Sequence, residues 1–146
     1  MNGKGEVINV GKELLVKLAV TYIEEHLFEE MEIEKVAKEL HYSKFYLARV
    51  FREYTGGTIY KYIQNRRLTE AARMLVETKI PIVDIAYKVN YQSQQAFTQA
   101  FHQVYLCTPQ VYRKNRFFYP KQTRLMMYKK KKGLWKEMIW KGWMAA

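Results

Sequence analysis

Cysteine occurs once in this chain, at Cys107, so an intramolecular disulfide is excluded, and the three histidines, His26, His41 and His102, share no metal-ligand spacing with it. There is no run of about 18 apolar residues and no signal-type apolar segment behind Met1; a cytoplasmic protein with no membrane partner is the expectation. Only three prolines and seven glycines interrupt the 146 residues, which leaves long stretches open to helix, and no alternating strand pattern competes. Gly-rich phosphate loops, nucleophile–base pairs and carboxylate dyads are missing as well. A protein without catalytic activity, metal or cofactor is expected. At 49% apolar residues the chain can bury the core of one or two small helical units, with no room for a small-molecule effector domain beside them.

Acid is also scarce: 25 Lys and Arg face 14 Asp and Glu, a formal net charge of +11. Most of the excess lies at the end, where residues 114–146 hold ten basic side chains and the single acid Glu137. Elsewhere the signs separate along the chain. Glu24, Glu25, Glu29, Glu30, Glu32, Glu34 and Glu39 crowd one stretch, and Lys44, Arg49, Arg52, Lys61, Arg66, Arg67 and Arg73 follow it. That order predicts one face toward phosphate and another away from it.

What is present is a repeat. Ile33, Val36, Ala37, Leu40, Tyr42, Leu47, Phe51, Thr58 and Tyr62 return as Ile82, Ile85, Ala86, Val89, Tyr91, Phe97, Phe101, Thr108 and Tyr112, offset by 49 residues up to the tyrosine and 50 after it. The extra residue is expected at the start of the second recognition helix. A small residue (Ala37, Ala86) where two helices cross, an apolar anchor three positions on, and then His41 or Asn90 at a turn that favours positive φ make each copy a helix-turn-helix. The fold expected is all-α: two helix-turn-helix subdomains joined by a long linker helix.

Helices are predicted from Lys12 to about His26 with Leu14, Leu18 and Tyr22 as the apolar stripe, then over Glu32–Leu40, Ser43–Tyr54 and about Thr58–Thr78. Pro81 opens the next, Ser93 caps the second recognition helix and Thr108-Pro109 opens the last. The boundaries drawn are an arm over 1–11, a first subdomain over 12–56, a linker over 57–79, a second subdomain over 80–115 and a basic aromatic tail over 116–146, read as disordered or weakly helical. A linker of about twenty residues spans roughly 30 Å, near the roughly 34 Å between successive major grooves on one side of B-DNA. Double-stranded DNA is therefore the expected partner.

Helical period puts Phe45, Ala48, Arg49 and Arg52 on the outer side of the first recognition helix, and Gln95, Thr98, Gln99 and His102 on that of the second, with Lys44 and Gln94 at their N-terminal ends. Arginine can donate two parallel hydrogen bonds to guanine O6 and N7, and glutamine suits adenine N6 and N7. A guanine-containing half-site beside one richer in A·T is expected.

Several phrases of the chain resemble the AraC/XylS family of transcription regulators: Arg49-Val50-Phe51, Gly56, Tyr62 through Thr69, Ile85-Ala86, Tyr91-Gln92-Ser93-Gln94-Gln95, Phe97-Thr98, Phe101 and Thr108 through Arg113. The short N-terminus and the Ser-Gln-Gln-x-Phe-Thr phrase resemble its MarA/SoxS/Rob/TetD branch of stand-alone activators of stress and drug-tolerance genes. The resemblance covers roughly residues 12–115. It implies base reading by Phe45, Ala48, Arg49, Gln94, Gln95, Ala96 and Gln99, and phosphate contacts by Ser43, Thr98, Thr108, Gln110 and Arg113, to which Lys44 and Arg52 are added from their position. The branch usually carries tryptophan at Phe45, a polar residue at Ala48 and arginine at Gln99, so a different operator is expected; Leu106 also replaces a helix-ending glycine or polar residue.

An activator binding as a monomer is the leading expectation. RNA polymerase would be its second partner, through the acids Glu25, Glu29 and Glu30. A repressor or DNA-bending protein is the near alternative. An interaction module working through the tail, with Lys129–Lys132, Trp135, Trp140 and Trp143 against a membrane surface or a protein, is the alternative of another class.

Overall fold

A computed structural model describes residues 2–125, with side chains from residue 11 onward. Seven helices follow one another among the described residues: α1 (Asn2–Glu25), α2 (Ile33–Glu39), α3 (Lys44–Thr55), α4 (Ile59–Glu77), α5 (Ile82–Lys88), α6 (Gln94–Tyr105) and α7 (Pro109–Asn115). The described residues form helices and connecting segments with no strand, and α3, α4, α6 and α7 begin at hydroxyl caps. Ser43, Thr58, Ser93 and Thr108 each accept a hydrogen bond from the backbone N–H three residues on, at 3.0–3.2 Å.

The two copies close their turns alike. His41 and Asn90 sit at φ 62° and 66°, and the amide beyond each, of Tyr42 and Tyr91, donates to the carbonyl of Ala37 and Ala86 at 2.9 Å. Ala37 and Ala86 are buried, as close helix crossing requires. Because the caps Ser43 and Ser93 correspond, and both recognition helices have 12 residues, the extra residue of the second copy is Gln92 in the turn. The sequence places it at the start of that helix, where an added residue would rotate the outward side chains by about 100° relative to the cap. The turn absorbs it without disturbing the face.

The helix α4 is more than a spacer. Its first half contributes Ile59, Tyr62 and Ile63 to a core with α1, α2 and α3, and its second half contributes Leu68, Ala71, Ala72 and Leu75 to a core with α5, α6 and α7. Each subdomain would be left with an open apolar face without it. Between the two cores, the buried Arg66 donates through Nε and Nη2 to Glu24 of α1 at 2.7 and 3.1 Å, and through Nη2 to Glu70. The neighbouring Arg67 donates to the carbonyls of Leu27 and Glu29, and Asn90 from the second turn donates to the carbonyl of Phe28.

Three expectations are corrected. Of the arm drawn over 1–11, residues 2–11 are continuous with α1, and no proline interrupts them. In α1 the buried stripe is Leu15, Val16, Ala19, Val20 and Ile23, whereas Leu14 and Leu18 are exposed; Leu27, just past the helix, is buried with the stripe. Both sets have helical spacing, and only the first leads into Leu27 beyond the helix end. The tail is not loose throughout: residues 116–125 run back over the molecule. Arg66 Nη1 donates to the Gln122 carbonyl at 2.9 Å, the Gln122 amide donates to Thr69 Oγ1 at 3.0 Å, and the Leu125 amide donates to the Tyr62 hydroxyl at 3.2 Å. Phe118 lies 4.6 Å from the Arg73 guanidinium, and Leu125 enters the first core. The remaining part of the tail, 126–146, lies outside the described residues.

Leu106, where a glycine or polar residue was the norm, ends α6 at φ 60° with 75% of its surface exposed. A left-handed leucine is strained and here has little packing to lose. Leu106→Gly should raise stability by about 1 kcal/mol, read as a higher urea midpoint at unchanged slope.

Candidate nucleic-acid interface

Both recognition helices bury one stripe and leave the other open. In α3, Leu47, Val50, Phe51 and Thr55 are buried while Phe45, Ala48, Arg49 and Arg52 are exposed. In α6, Phe97, Phe101 and Tyr105 are buried while Gln95, Ala96, Gln99 and His102 are exposed. Phe45 is 77% exposed on this outer face. The Arg49 guanidinium leans on the Tyr46 ring at 5.3 Å, and neither Arg49 nor Arg52 has an ion pair among the described residues. An unpaired guanidinium on an outward helix face can meet guanine or phosphate without first breaking an internal bond.

The second surface is one shallow concavity. Gln94, Gln95, Thr98, Gln99, His102, Gln103, Thr108 and Gln110 line it together, joining the face of α6 to the start of α7. All six residues that sequence placed at DNA in this copy, other than Ala96 and Arg113, are thus neighbours. Gln103, absent from the sequence reading, joins them; its position one turn after Gln99 was the available signal.

Arg113 does not belong with them. Its Nε donates to the Leu75 carbonyl at 2.9 Å and its Nη2 to the Ile80 carbonyl at 2.6 Å, so it closes the exit of α4 onto α7. The Leu75 carbonyl lies at the end of α4, where intrahelical donors run out, and the half-buried guanidinium serves it together with the Ile80 carbonyl of the following connection. Charge segregation is corrected in the same way. Arg66 is buried, Arg67 is half-buried and donates to backbone carbonyls, and Arg73 pairs with Glu70 and Glu77 along α4. Glu24 is inside that network, whereas Glu25, Glu29 and Glu30 remain exposed. Glu34, counted with the acids away from phosphate, instead meets Lys44 at the tip of α3, 2.9 Å away. The hydrogen bond from Lys44 holds the Glu34 carboxyl below its ordinary pKa.

Among the described residues no helix is long and apolar enough to cross a membrane, and no group of three or more metal-capable side chains occurs. Two helix-turn-helix units with open recognition faces, sharing one helix, define a DNA-binding domain class. The helix-turn-helix domain family matches residues 36–115. Regulatory protein SoxS of Salmonella typhimurium is 41% identical over 99 residues, covering 68% of this chain and 92% of that one. The transposon Tn10 TetD protein of Escherichia coli is 38% identical over 104 residues, covering 71% and 75%. Among solved structures, the C-terminal domain of AraT, a response regulator from Geobacillus stearothermophilus, superposes with a TM-score of 0.68 at 28% identity, covering 82% of this chain and 92% of that domain. The chain belongs to the AraC-type helix-turn-helix family and is a DNA-binding transcription regulator.

Replacing Arg113 by Gln should lower stability by about 1–3 kcal/mol, because two carbonyls lose a charged donor. The dependence of DNA affinity on salt should stay the same, and a flattened slope would put Arg113 back at phosphate.

Proposed function

We propose that this protein is a sequence-specific transcription activator that binds DNA as a monomer, with α3 and α6 in two successive major grooves. The observation that carries this reading is the pair of serine-capped recognition helices, each with an open outer face, fixed to one shared 19-residue helix. At 1.5 Å per residue α4 is about 28 Å long, slightly short of one turn of B-DNA, which favours a duplex bent toward the protein. Arg49 with Phe45 and Ala48 reads the first half-site, and Gln94, Gln95, Ala96 and Gln99 read the second. Ser43 and Thr108 accept their caps with oxygen and keep the hydroxyl hydrogen for phosphate. Thr98, Gln110, Lys44 and Arg52 add contacts at the rim.

Similarity to SoxS and TetD supports control of genes for stress and drug tolerance, and no catalytic step is required. Glu25, Glu29 and Glu30, at the exposed end of α1 and the turn after it, form the polymerase-facing surface. Reversing these three charges should lower transcription in a purified system while DNA binding holds; a parallel loss of both would remove the acids from that role.

Selection from random duplex DNA, followed by footprinting, tests the whole reading. Protection of two tracts about one helical turn apart on one side of the duplex is expected. Arg49→Ala should then cost about 1–3 kcal/mol on the selected site and relax preference at one base pair. Equal weakening on all sequences would show that Arg49 touches backbone only.

A further inference from the structure

The ammonium of Lys44, at the first position of α3, lies 2.9 Å from the carboxylate of Glu34 and 5.3 Å from the centre of the Phe45 ring. It is parked between an acid and the exposed ring at the tip of the recognition helix. Both side chains of the ion pair are about half exposed, at 44% and 53%, so solvent screens the pair and little energy is needed to open it. The second copy has nothing similar. Its corresponding residues are Val83 and Gln94, both uncharged, and its turn closes with the same backbone hydrogen bonds. The helix-turn-helix frame therefore does not need this acid. A carboxylate at the rim of a phosphate-seeking surface opposes binding, and its effect falls on the one lysine best placed to meet the DNA backbone.

We propose that Glu34 is a specificity-determining residue, which keeps Lys44 in an internal ion pair until a matching operator exchanges a phosphate for the carboxylate. The inference rests on the reading of α3 as a major-groove helix. On unrelated DNA, where base edges give α3 no reason to seat deeply, Lys44 stays paired and contributes neither attraction nor counterion release. On the operator, contacts from Arg49 and Phe45 bring the tip of α3 against the backbone. Lys44 then turns to phosphate and Glu34 swings into solvent. Glu34 thereby weakens nonspecific binding more than specific binding, which raises the ratio between them.

The bland alternative is that Glu34 merely offsets a cation at a helix N-terminus, where positive charge is unfavourable. That role would alter stability without altering DNA discrimination. The test compares the full chain with E34Q, K44Q and the double variant, on a mixed-sequence duplex of about 25 base pairs and on the duplex selected by the wild type, over a range of salt.

E34Q should bind the mixed duplex about 3–10-fold more tightly near 0.1 M salt, with a log–log salt slope steeper by nearly one, the increment of one additional phosphate contact. Its affinity for the selected duplex should rise less than about twofold. In the K44Q background the same change should bring no gain. Equal gains on both duplexes, an unchanged slope, or the same gain without Lys44 would overturn the proposal, the last by showing only diffuse repulsion. A wild-type chain that holds neither duplex would overturn the groove reading and this inference together, a result distinct from all of these.

Discussion

The arrangement of this molecule turns on one buried guanidinium. Arg66 stands on α4 between the two cores and joins three parts of the chain at once: Glu24 of α1, Glu70 of α4 and the Gln122 carbonyl of the returning segment. Burying a charge is costly unless its partners replace water around it, and here two carboxylates and a carbonyl do so. The Tyr62 hydroxyl completes the set, donating to Glu24 Oε1 at 2.7 Å while accepting from the Leu125 amide. Burial and the adjacent carboxylate raise the Tyr62 phenol well above its ordinary pKa, so it stays a donor throughout the physiological range. The directional demands of these bonds fix α1, α4 and the returning segment in one register. Nearby, Asn65 is buried on the same helix.

Consequences for DNA reading follow from that rigidity. A helix shared by two cores cannot pivot at its centre without exposing one of them. Arg67 and Asn90 add donors from the linker and the second turn to three consecutive carbonyls, of Leu27, Phe28 and Glu29. The second subdomain is thereby held against the chain end of α1. A preset separation of the recognition helices reduces the ordering cost of placing both on DNA, and it penalises sites whose half-sites lie at another distance.

Much of this was legible from the sequence, for reasons that differ by residue. The repeat disclosed both helix-turn-helix units because each apolar position serves a core of the same shape. Thr58 and Thr78 bracketed α4 because nothing between them interrupts a helix. Outward positions followed from the 3.6-residue period once the buried stripe was known. Arg66 and Arg67 were misread because charge along a sequence carries no direction, and Arg113, placed at phosphate by the family resemblance, instead donates to the Leu75 and Ile80 carbonyls. The stripe of α1 failed for a related reason. Two sets of apolar residues share the helical period there, and the location of α2 and α3 decides between them. The segment 116–125 was hidden because Phe118, Gln122 and Leu125 follow no period at all; its order comes from long-range bonds to Tyr62, Arg66 and Thr69.

The two heads share a frame and diverge in chemistry, and the divergence has a direction. The first presents charged and aromatic groups, Lys44, Phe45, Arg49 and Arg52, while the second presents an almost uncharged surface of glutamines and threonines. Charged donors act at longer range and bind phosphate as readily as bases, so a head rich in them gains affinity on any duplex. Glutamine side chains act only at contact and gain little unless the base edges match. On the reading proposed above, the first head adds most to encounter while also reading bases through Arg49 and Phe45, and the second adds discrimination that acts only at contact. The acid beside Lys44 then falls on the head whose charge most needs restraint, while the second head, with no cation at its tip, has no use for one.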